Sequence, residues 1–170
     1  MQKIEITGPV NGCTSYCDGK MVAVDTTISL PEVTNVIAEI QTGMGTVEIP
    51  LIGDIEAMEA TIKKIGVDKG LSRICKMGSR TIEFRWAQTQ TKPDGSTKIV
   101  GAKAFLRCMS KVLAPGMDIE KGSVTEGDIP LAVNRYQLFV DGEELLCIDK
   151  LSQVLRIGGT DYYDQINNLL

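Results

Sequence analysis

Apolar and polar residues alternate along several segments of the chain with the period of two that is typical of a β-strand. Ile82, Phe84 and Trp86 share one side of such a segment, whereas Glu83 and Arg85 share the other. The same alternation places two further sets of apolar residues on one side: Met58, Ala60 and Ile62; and Ala102, Ala104, Leu106 and Cys108. Each predicted strand therefore has one buried side and one side that meets water or a partner.

Three Asp-Gly pairs lie between these segments, and this dipeptide is a strong signal for a β-hairpin. They are Asp18-Gly19, Asp94-Gly95 and Asp141-Gly142. The strands that they join are long, because Lys98–Val112 is interrupted only by a glycine and Pro130–Val140 not at all, whereas a typical strand has about five or six residues. The pattern predicts a mainly β fold: a barrel, or a sheet completed by neighbouring subunits.

Helical signals are few. Asp68 is a suitable N-cap for a helix over 69–77 that ends at Gly78, with Leu71 and Ile74 on its inner side. The segment Glu56–Ile65 also contains good helix formers, but its alternation favours a strand. We further expect a short helix within Tyr162–Leu170, with Ile166 and the final leucines, Leu169 and Leu170, turned inward.

Composition narrows the possible functions. The chain has 170 residues, which suits a single domain over 1–170, and a net charge of −4, which does not favour a nucleic-acid reader. Because it has no histidine, the Ser-His-Asp triad and the commonest metal ligand are excluded. The first residues lack a signal-peptide pattern, and no apolar stretch approaches the roughly 18 residues of a membrane span, so we expect a cytoplasmic protein that is not integral to a membrane.

Residues that could carry chemistry have simpler explanations. Cys13 and Cys17 are spaced like half a zinc site, but the other three cysteines are scattered, and reduced thiols fit better. The carboxylates of Glu143 and Glu144 directly follow a predicted turn and fit a solvated hairpin end. We therefore predict no catalytic residue, no metal site and no cofactor.

The segment Thr42–Asp54 is unusual, because it combines three glycines with a run of aliphatic residues. We interpret it as an extended arm loop whose candidate contact residues are Met44, Val47, Ile49, Leu51 and Ile52. An exposed apolar segment of this length is costly in water. It packs either on its own domain or on another subunit, and the long strands favour the second.

The order of several segments resembles the major tail tube protein of contractile-tailed phages and of the related R-type bacteriocins. An Ile-Ser-Leu-Pro-Glu-Val-Thr segment precedes the first long strand, and a Gly-Met-Gly segment begins the arm. Further along, a Gly-Ser-Val-Thr-Glu-Gly-Asp segment leads into the final hairpin. The matching segments are Ile28–Thr34, Gly43–Gly45, Val47–Gly53, Gly122–Asp128, Tyr136–Leu145, Ile148–Asp149 and Gly158–Asp161. The cysteine pair near the N-terminus and the segment Ser79–Gln90 depart from this pattern.

The resemblance implies a β-barrel or sandwich with one flanking helix, assembled as hexameric rings that stack into a tube inside a contractile sheath. Each subunit would contribute strands to a continuous barrel around a lumen, drawn here from Thr34–Gln41, Glu56–Ile65, Lys98–Val112 and Leu131–Val140. The implied partners are further copies of the chain, the sheath protein, and the baseplate or tube-initiator and terminator proteins. Assembly would take place in the cytoplasm of a bacterial host, and the product would be a virion tail or a released bacteriocin particle.

The polar sides of these strands hold the candidate residues that face the lumen or a partner: Glu39, Gln41, Glu59, Thr61, Lys63, Lys103, Arg107, Arg135 and Gln137. A lumen that passes DNA would favour acidic walls, and this set is of mixed charge. Either some of these residues face neighbouring subunits or the sheath, or no DNA passes, as in a bacteriocin. The competing classes are a stand-alone β-sandwich binding domain and a carboxylate hydrolase that lacks histidine.

Overall fold

The structure, a computed structural model, describes residues 3–170, and this part of the chain is mainly β. It contains twelve strands and two short helices. In chain order they are β1 (Ile6–Cys17), β2 (Lys20–Val24), β3 (Ile28–Ser29), β4 (Asn35–Thr42), β5 (Gly45–Ile55), β6 (Met58–Ile65), α1 (Lys69–Cys75), β7 (Arg80–Thr91), β8 (Thr97–Ser110), β9 (Glu126–Val140), β10 (Glu143–Asp149), β11 (Val154–Ile157), β12 (Thr160–Asp161) and α2 (Tyr163–Asn167). The predicted mainly β class is confirmed.

Ten of these strands form one antiparallel sheet, in the order β12-β11-β10-β9-β8-β7-β1-β2, with β6 beside β9 and β3 beside β6. The long strand β9 organises the sheet. Along one edge its first half pairs with β6 and its second half with β10, while β8 pairs along the other edge. The sheet does not close on itself in the described chain, so the predicted barrel is at most an open one within a single copy.

The Asp-Gly pairs form the hairpin turns that the sequence predicts. They connect β1 to β2, β7 to β8 and β9 to β10. Asp141 and Gly142 have φ angles of 50° and 82°, and a two-residue hairpin turn with both central residues at positive φ matches the right-handed twist of the strands. The turn is so tight that β9 and β10 pair directly on either side of it, with Val140 opposite Glu143.

The hydrophobic core lies on the side of the sheet where the alternation places the apolar residues. Ile82, Phe84, Ala104 and Leu106 have no exposed surface, and Met58 has 3%. Glu56–Ile65 is therefore not a helix, since β6 spans Met58–Ile65 and turns its apolar side into this core. Burial of one side of each strand fixes the register of the whole sheet, because a shift by one residue would expose that side.

Helix α1 packs beside β2 and begins at the predicted cap. The Asp68 carboxylate accepts a hydrogen bond from the Gly70 backbone N–H at 2.8 Å, and Ile74 and Cys75 are buried. The same carboxylate accepts a bond from the Lys64 ammonium at 2.8 Å, and the Lys64 side chain is almost fully buried. Asp68 thus caps α1 and also neutralises a cation at the edge of the core.

We predict that Asp68→Ala lowers the free energy of unfolding by about 2–3 kcal/mol, since it removes a cap and leaves the buried Lys64 ammonium without its partner. The Asp68 carboxylate is more than half exposed, so solvent screening keeps the contribution of its ion pair with Lys64 to the free energy of unfolding modest. In a Lys64→Met background the same change should cost only about 1 kcal/mol, for the cap. Chemical denaturation of the four variants measures both values, and equal costs in the two backgrounds would contradict the pairing.

The pKa of Asp68 also predicts a dependence on pH. The hydrogen bond from Lys64 lowers the pKa of this carboxyl below its usual value, and the Gly70 N–H lowers it further. The contribution of Asp68 to stability is therefore complete above the ordinary carboxyl pKa of about 4 and is lost as the pH falls through the lower, folded-state pKa. Wild-type protein and Asp68→Ala should converge in stability at the acidic end of a denaturation series.

The predicted C-terminal helix is present, but its inner side is only partly as expected. Helix α2 covers Tyr163–Asn167, and Ile166 is half-buried. Leu169 and Leu170 are 87% and 100% exposed, so their predicted inward orientation is wrong. The helix ends before them, and the surface that it covers is already filled by Tyr163 and Ile166 against β5.

The segment interpreted as an arm loop is instead a β-hairpin. Strands β4 and β5 form a separate two-stranded sheet with Gly43 and Met44 at its turn, so Thr42–Asp54 is mostly strand. The alternation of Val47 and Ile49 with polar neighbours accounts for this. Of the four segments predicted for the continuous barrel, Thr34–Gln41 is not part of the main sheet, because it pairs only with β5; the other three are.

Candidate functional site

The β4–β5 hairpin, which we call the arm, projects from the rest of the domain with its side chains uncovered. Its strands pair from Ile37 opposite Pro50 to Thr42 opposite Gly45. The Met44 side chain at the tip is fully exposed. All five predicted contact residues are exposed, and β4 adds Ile37 and Ile40: Ile37, Ile40, Met44, Val47, Ile49, Leu51 and Ile52. Monomeric soluble proteins rarely leave a set of this size uncovered.

The two faces of the arm differ in chemistry, because the pairing of β4 with β5 sorts their side chains. One face carries Ala38 opposite Ile49 and Ile40 opposite Val47. The other carries Glu39 opposite Glu48 and Gln41 opposite Thr46, and the Gln41 amide donates to the Thr46 hydroxyl at 2.8 Å. Near its tip the arm is thus an amphipathic ribbon with an apolar face and an acidic face, whereas at its base the acidic side also carries Ile37 opposite Pro50.

The base of the arm is a wide bulge held by α2. Between the pairs Asn35–Ile55 and Ile37–Pro50, strand β5 has four residues (51–54) where β4 has one. Gly53 in this bulge has a φ of 85°, and a Cβ atom there would lie 2.8 Å from the Tyr163 ring. The absence of a side chain lets α2 lie directly on the bulge, so α2 sets the direction in which the arm leaves the domain.

Seven of the nine candidate lumen- or partner-facing residues lie together on the side of the main sheet opposite the core, which we call the outer face. Strand pairing places them on β6, β8 and β9. They are Glu59, Thr61, Lys63, Lys103, Arg107, Arg135 and Gln137. The other two, Glu39 and Gln41, are on the acidic face of the arm and apart from the main sheet.

Most charges on the outer face are paired. Lys111 pairs with Glu59, Lys63 with Glu126 at 3.4 Å, and Arg85 with Glu83. Among the residues that the structure describes, no carboxylate lies within 4.0 Å of the Lys103 ammonium or of the Arg107 guanidinium. The two cations lie on the same side of β8, with Phe105 between them.

Glu144, one of the two carboxylates that follow the last Asp-Gly turn, takes part in a hydrogen-bonded group. Its carboxylate accepts bonds from the Arg156 guanidinium at 2.5 Å and the Gln137 amide at 2.7 Å, and these bonds hold the pKa of Glu144 below its usual value. A carboxyl with a lowered pKa stays ionised and does not donate a proton near neutral pH. Its neighbour Glu143 is exposed at the start of β10.

Aromatic residues on the outer face were not singled out by the sequence. Phe105 and Phe139 meet edge to face with ring centroids 5.7 Å apart, and the Arg85 guanidinium lies 4.6 Å from the centre of the Tyr16 ring. The phenylalanine pair lines a broad groove of about 1030 Å³ together with Lys103. The available signal was Phe105 itself, an aromatic residue at a polar position of the alternation.

The thiols do not converge on a site. The Cys13 thiol donates to the Thr26 carbonyl and the Cys17 thiol to the Arg73 carbonyl, so the predicted pair points to different parts of the backbone. Burial raises the pKa of both thiols and raises that of Cys108 to about 12. Within residues 3–170 no group of three or more Cys, Asp or Glu side chains is arranged to hold a metal ion.

The geometry combines an exposed amphipathic arm, an open sheet and a largely polar outer face. The sequence model of the family described as phage tail tube protein FII matches residues 9–170. The chain belongs to this tail tube family. The match includes both the cysteine pair and the segment Ser79–Gln90, which the sequence resemblance left unmatched.

A chain of one solved sheath-tube complex shares the fold of this chain. A chain from the cryo-electron microscopy structure of an extracellular contractile injection system, the PVC sheath-tube complex in its extended state, superimposes with a TM-score of 0.53 at 14% identity. The superposition covers 77% of this chain and 90% of that chain. A chain from the PVC sheath/tube terminator matches at 16% identity and a TM-score of 0.47, over 77% of this chain and 95% of that chain.

A search of the curated proteins finds no match to this chain. In residues 3–170, neither helix is long and apolar enough to cross a membrane.

Proposed function

We propose that this protein is the structural subunit of the inner tail tube of a contractile injection particle, and that it polymerises as hexameric rings stacked inside a contractile sheath. The family match over residues 9–170 carries the proposal. The exposed arm supports it, because a hairpin with seven uncovered large apolar residues needs a partner surface. In a tube of identical subunits, a neighbouring copy would supply that surface to every arm.

The open sheet supports a barrel that is completed between subunits. The first half of β1, Ile6–Gly12, pairs with β7 on one side only, and β8 extends past the end of β9 by five residues, Thr97–Gly101. Free strand edges invite pairing with another chain, and closing a ring of subunits removes them. The continuous barrel would thus use the long strands of the main sheet together with the arm.

The tube acts by assembly and not by turnover, and no catalysis is proposed. Contraction of the sheath would drive the tube through the envelope of the target cell, so the contacts between rings must carry axial load. Large, partly apolar interfaces supply such strength, and the arm would bridge to an adjacent subunit or ring and bury its apolar face there.

The proposed partners follow from this role: further copies of the chain, the sheath protein, the baseplate or tube-initiator protein and the terminator protein. Assembly would occur in the cytoplasm of a bacterial host, with the product a virion tail or a released bacteriocin. The mixed charges of the outer face suit either particle. A DNA-filled head on native particles, seen by electron microscopy, would identify a phage tail.

The purified chain should polymerise, and sedimentation velocity over a range of concentrations tests this. We expect large, polydisperse species that grow with protein concentration. The alternative function, a stand-alone β-sandwich binding domain, predicts one sharp monomer peak of about 18.5 kDa at every concentration.

A further inference from the structure

Two like charges lie directly opposite each other on the arm. Glu39 on β4 faces Glu48 on β5, and both side chains are exposed. Opposed side chains in an antiparallel pair have Cβ atoms about 4.5–5.5 Å apart, and like charges at this distance destabilise the pair. The isolated arm therefore carries an electrostatic cost that a nearby cation would remove.

The surrounding chain does not supply that cation. Residues 21–62 contain seven Asp or Glu residues and neither Lys nor Arg. Within residues 3–170, Glu39 and Glu48 take part in no ion pair. The acidic face of the arm is thus complementary to a basic surface from elsewhere.

Such a surface exists on the main sheet, where two arginines oppose each other across β8 and β9. Arg107 lies opposite Arg135, and both border a pocket of about 180 Å³ whose other lining residues carry no acid: Thr81, Phe105, Leu106 and Gln137. Arg135 is partly compensated by the buried Asp149 carboxylate at 3.8 Å, whereas Arg107 has no carboxylate within 4.0 Å in the described chain. Lys103 adds a further unpaired cation on the same side of β8.

We propose that the acidic pair of the arm, Glu39 and Glu48, docks on the basic pair Arg107 and Arg135 of a neighbouring copy of the chain. This inference rests on the proposed tube function and names the surface that receives the arm. Each pair costs energy alone, and the two costs cancel when opposite charges meet. An Arg guanidinium also suits a carboxylate, because it offers two parallel N–H donors.

The assignment to a second copy follows from the location of the two pairs. They occupy different surfaces of the same chain, so the contact is heterologous, and a heterologous contact propagates into a ring or a filament. One type of contact then serves every subunit. It leaves the opposite face of the arm, with Ile40, Val47 and Ile49, free to pack on apolar surface at the same time.

Charge reversal tests the contact with a signature that misfolding cannot imitate. Glu39→Arg and Arg107→Glu each relieve a like-charge pair inside the monomer, so the melting temperature of each monomer should stay unchanged or rise. Each variant alone should nevertheless raise the critical concentration for polymerisation by about tenfold or more, because it opposes like charges across the interface. The combined variant Glu39→Arg/Arg107→Glu should return to within about threefold of wild type.

Matched reversals at exposed residues away from both pairs, Glu32→Lys and Lys121→Glu, serve as controls and should leave the critical concentration unchanged. Single variants that polymerise like wild type, or a combined variant that is not rescued, would overturn the contact while wild-type tubes still support the proposed function. A wild-type chain that never polymerises overturns both. If Arg107→Glu abolishes binding of a duplex DNA probe without affecting polymerisation, the basic pair serves nucleic acid and the contact is wrong.

Discussion

Ile49→Asp in the arm is expected to abolish polymerisation and to leave the monomer folded. Ile49 is 44% exposed and belongs to the apolar face of the arm, and within residues 3–170 this face is not among the residues that form or pack against the hydrophobic core. Burying this face in a neighbour gains apolar contact, whereas a buried, unpaired carboxylate costs several kcal/mol. A loss of about 3 kcal/mol per contact raises the critical concentration more than about 100-fold. Sedimentation and electron micrographs measure the polymer, and circular dichroism measures the fold.

The conservative variant Ile49→Val provides the control, because it keeps the apolar character and the strand propensity of the position. It should assemble within a few-fold of wild type. Normal tubes formed by Ile49→Asp would refute the bridging role of the arm. Loss of the folded monomer in Ile49→Asp would show that the arm packs on its own domain, which contradicts its exposed placement.

Gly53→Val at the base of the arm should impair both stability and assembly. Its φ of 85° is unfavourable for a β-branched residue by about 2 kcal/mol, and the new side chain would collide with the Tyr163 ring 2.8 Å away. Helix α2 must then move, and the arm loses the support that sets its direction. We expect the free energy of unfolding to fall by about 3 kcal/mol in total and the critical concentration to rise at least tenfold.

Two comparisons separate these causes. Gly116→Val introduces the same side chain where the φ is not positive and no atom lies within 4 Å of the new Cβ, so it should change neither quantity. Adding Tyr163→Ala to Gly53→Val removes the collision but not the backbone strain, and should recover part of the lost stability. If Gly53→Val assembled as well as wild type, α2 would have no role in orienting the arm.

The strands and their buried sides could be predicted from the sequence because both follow from local patterns. Alternation at Ile82, Phe84 and Leu106 identifies the core side without any long-range information, and Asp141-Gly142 identifies a turn. The helix start at Asp68 is equally local, since one side chain satisfies the first free N–H groups. Such elements were confirmed to within a few residues at their ends.

The arm was misinterpreted as a loop because its glycines dominate the local pattern. In the structure the glycines have separate tasks: Gly43 lies at the hairpin turn, and Gly53 makes room for Tyr163 in a bulge. The second task depends on a residue 110 positions later, which no local pattern contains. Leu169 and Leu170 were misplaced for a similar reason, because their burial depended on where α2 ends.

The charged surfaces could not be predicted without knowing the register of the strands. The sequence identified Glu39, Arg107 and Arg135 as polar-side residues, but it did not show which charges face each other. The bulge between Arg107 and Cys108 sets the pairing of β8 with β9, and it brings the two arginines opposite each other. A regular ladder continued from Val133 opposite Cys108 would place Asn134 there instead.

The central claim, that this chain builds a tube of stacked rings joined by the arm, is tested most directly by cryo-electron microscopy of the polymer formed by the purified full-length chain. The proposal predicts six-fold rings around an open lumen, a sheet continuous from one subunit to the next, and density for the arm crossing to a neighbouring copy. A strict monomer at high protein concentration, or a polymer in which every arm folds back on its own subunit, would contradict it.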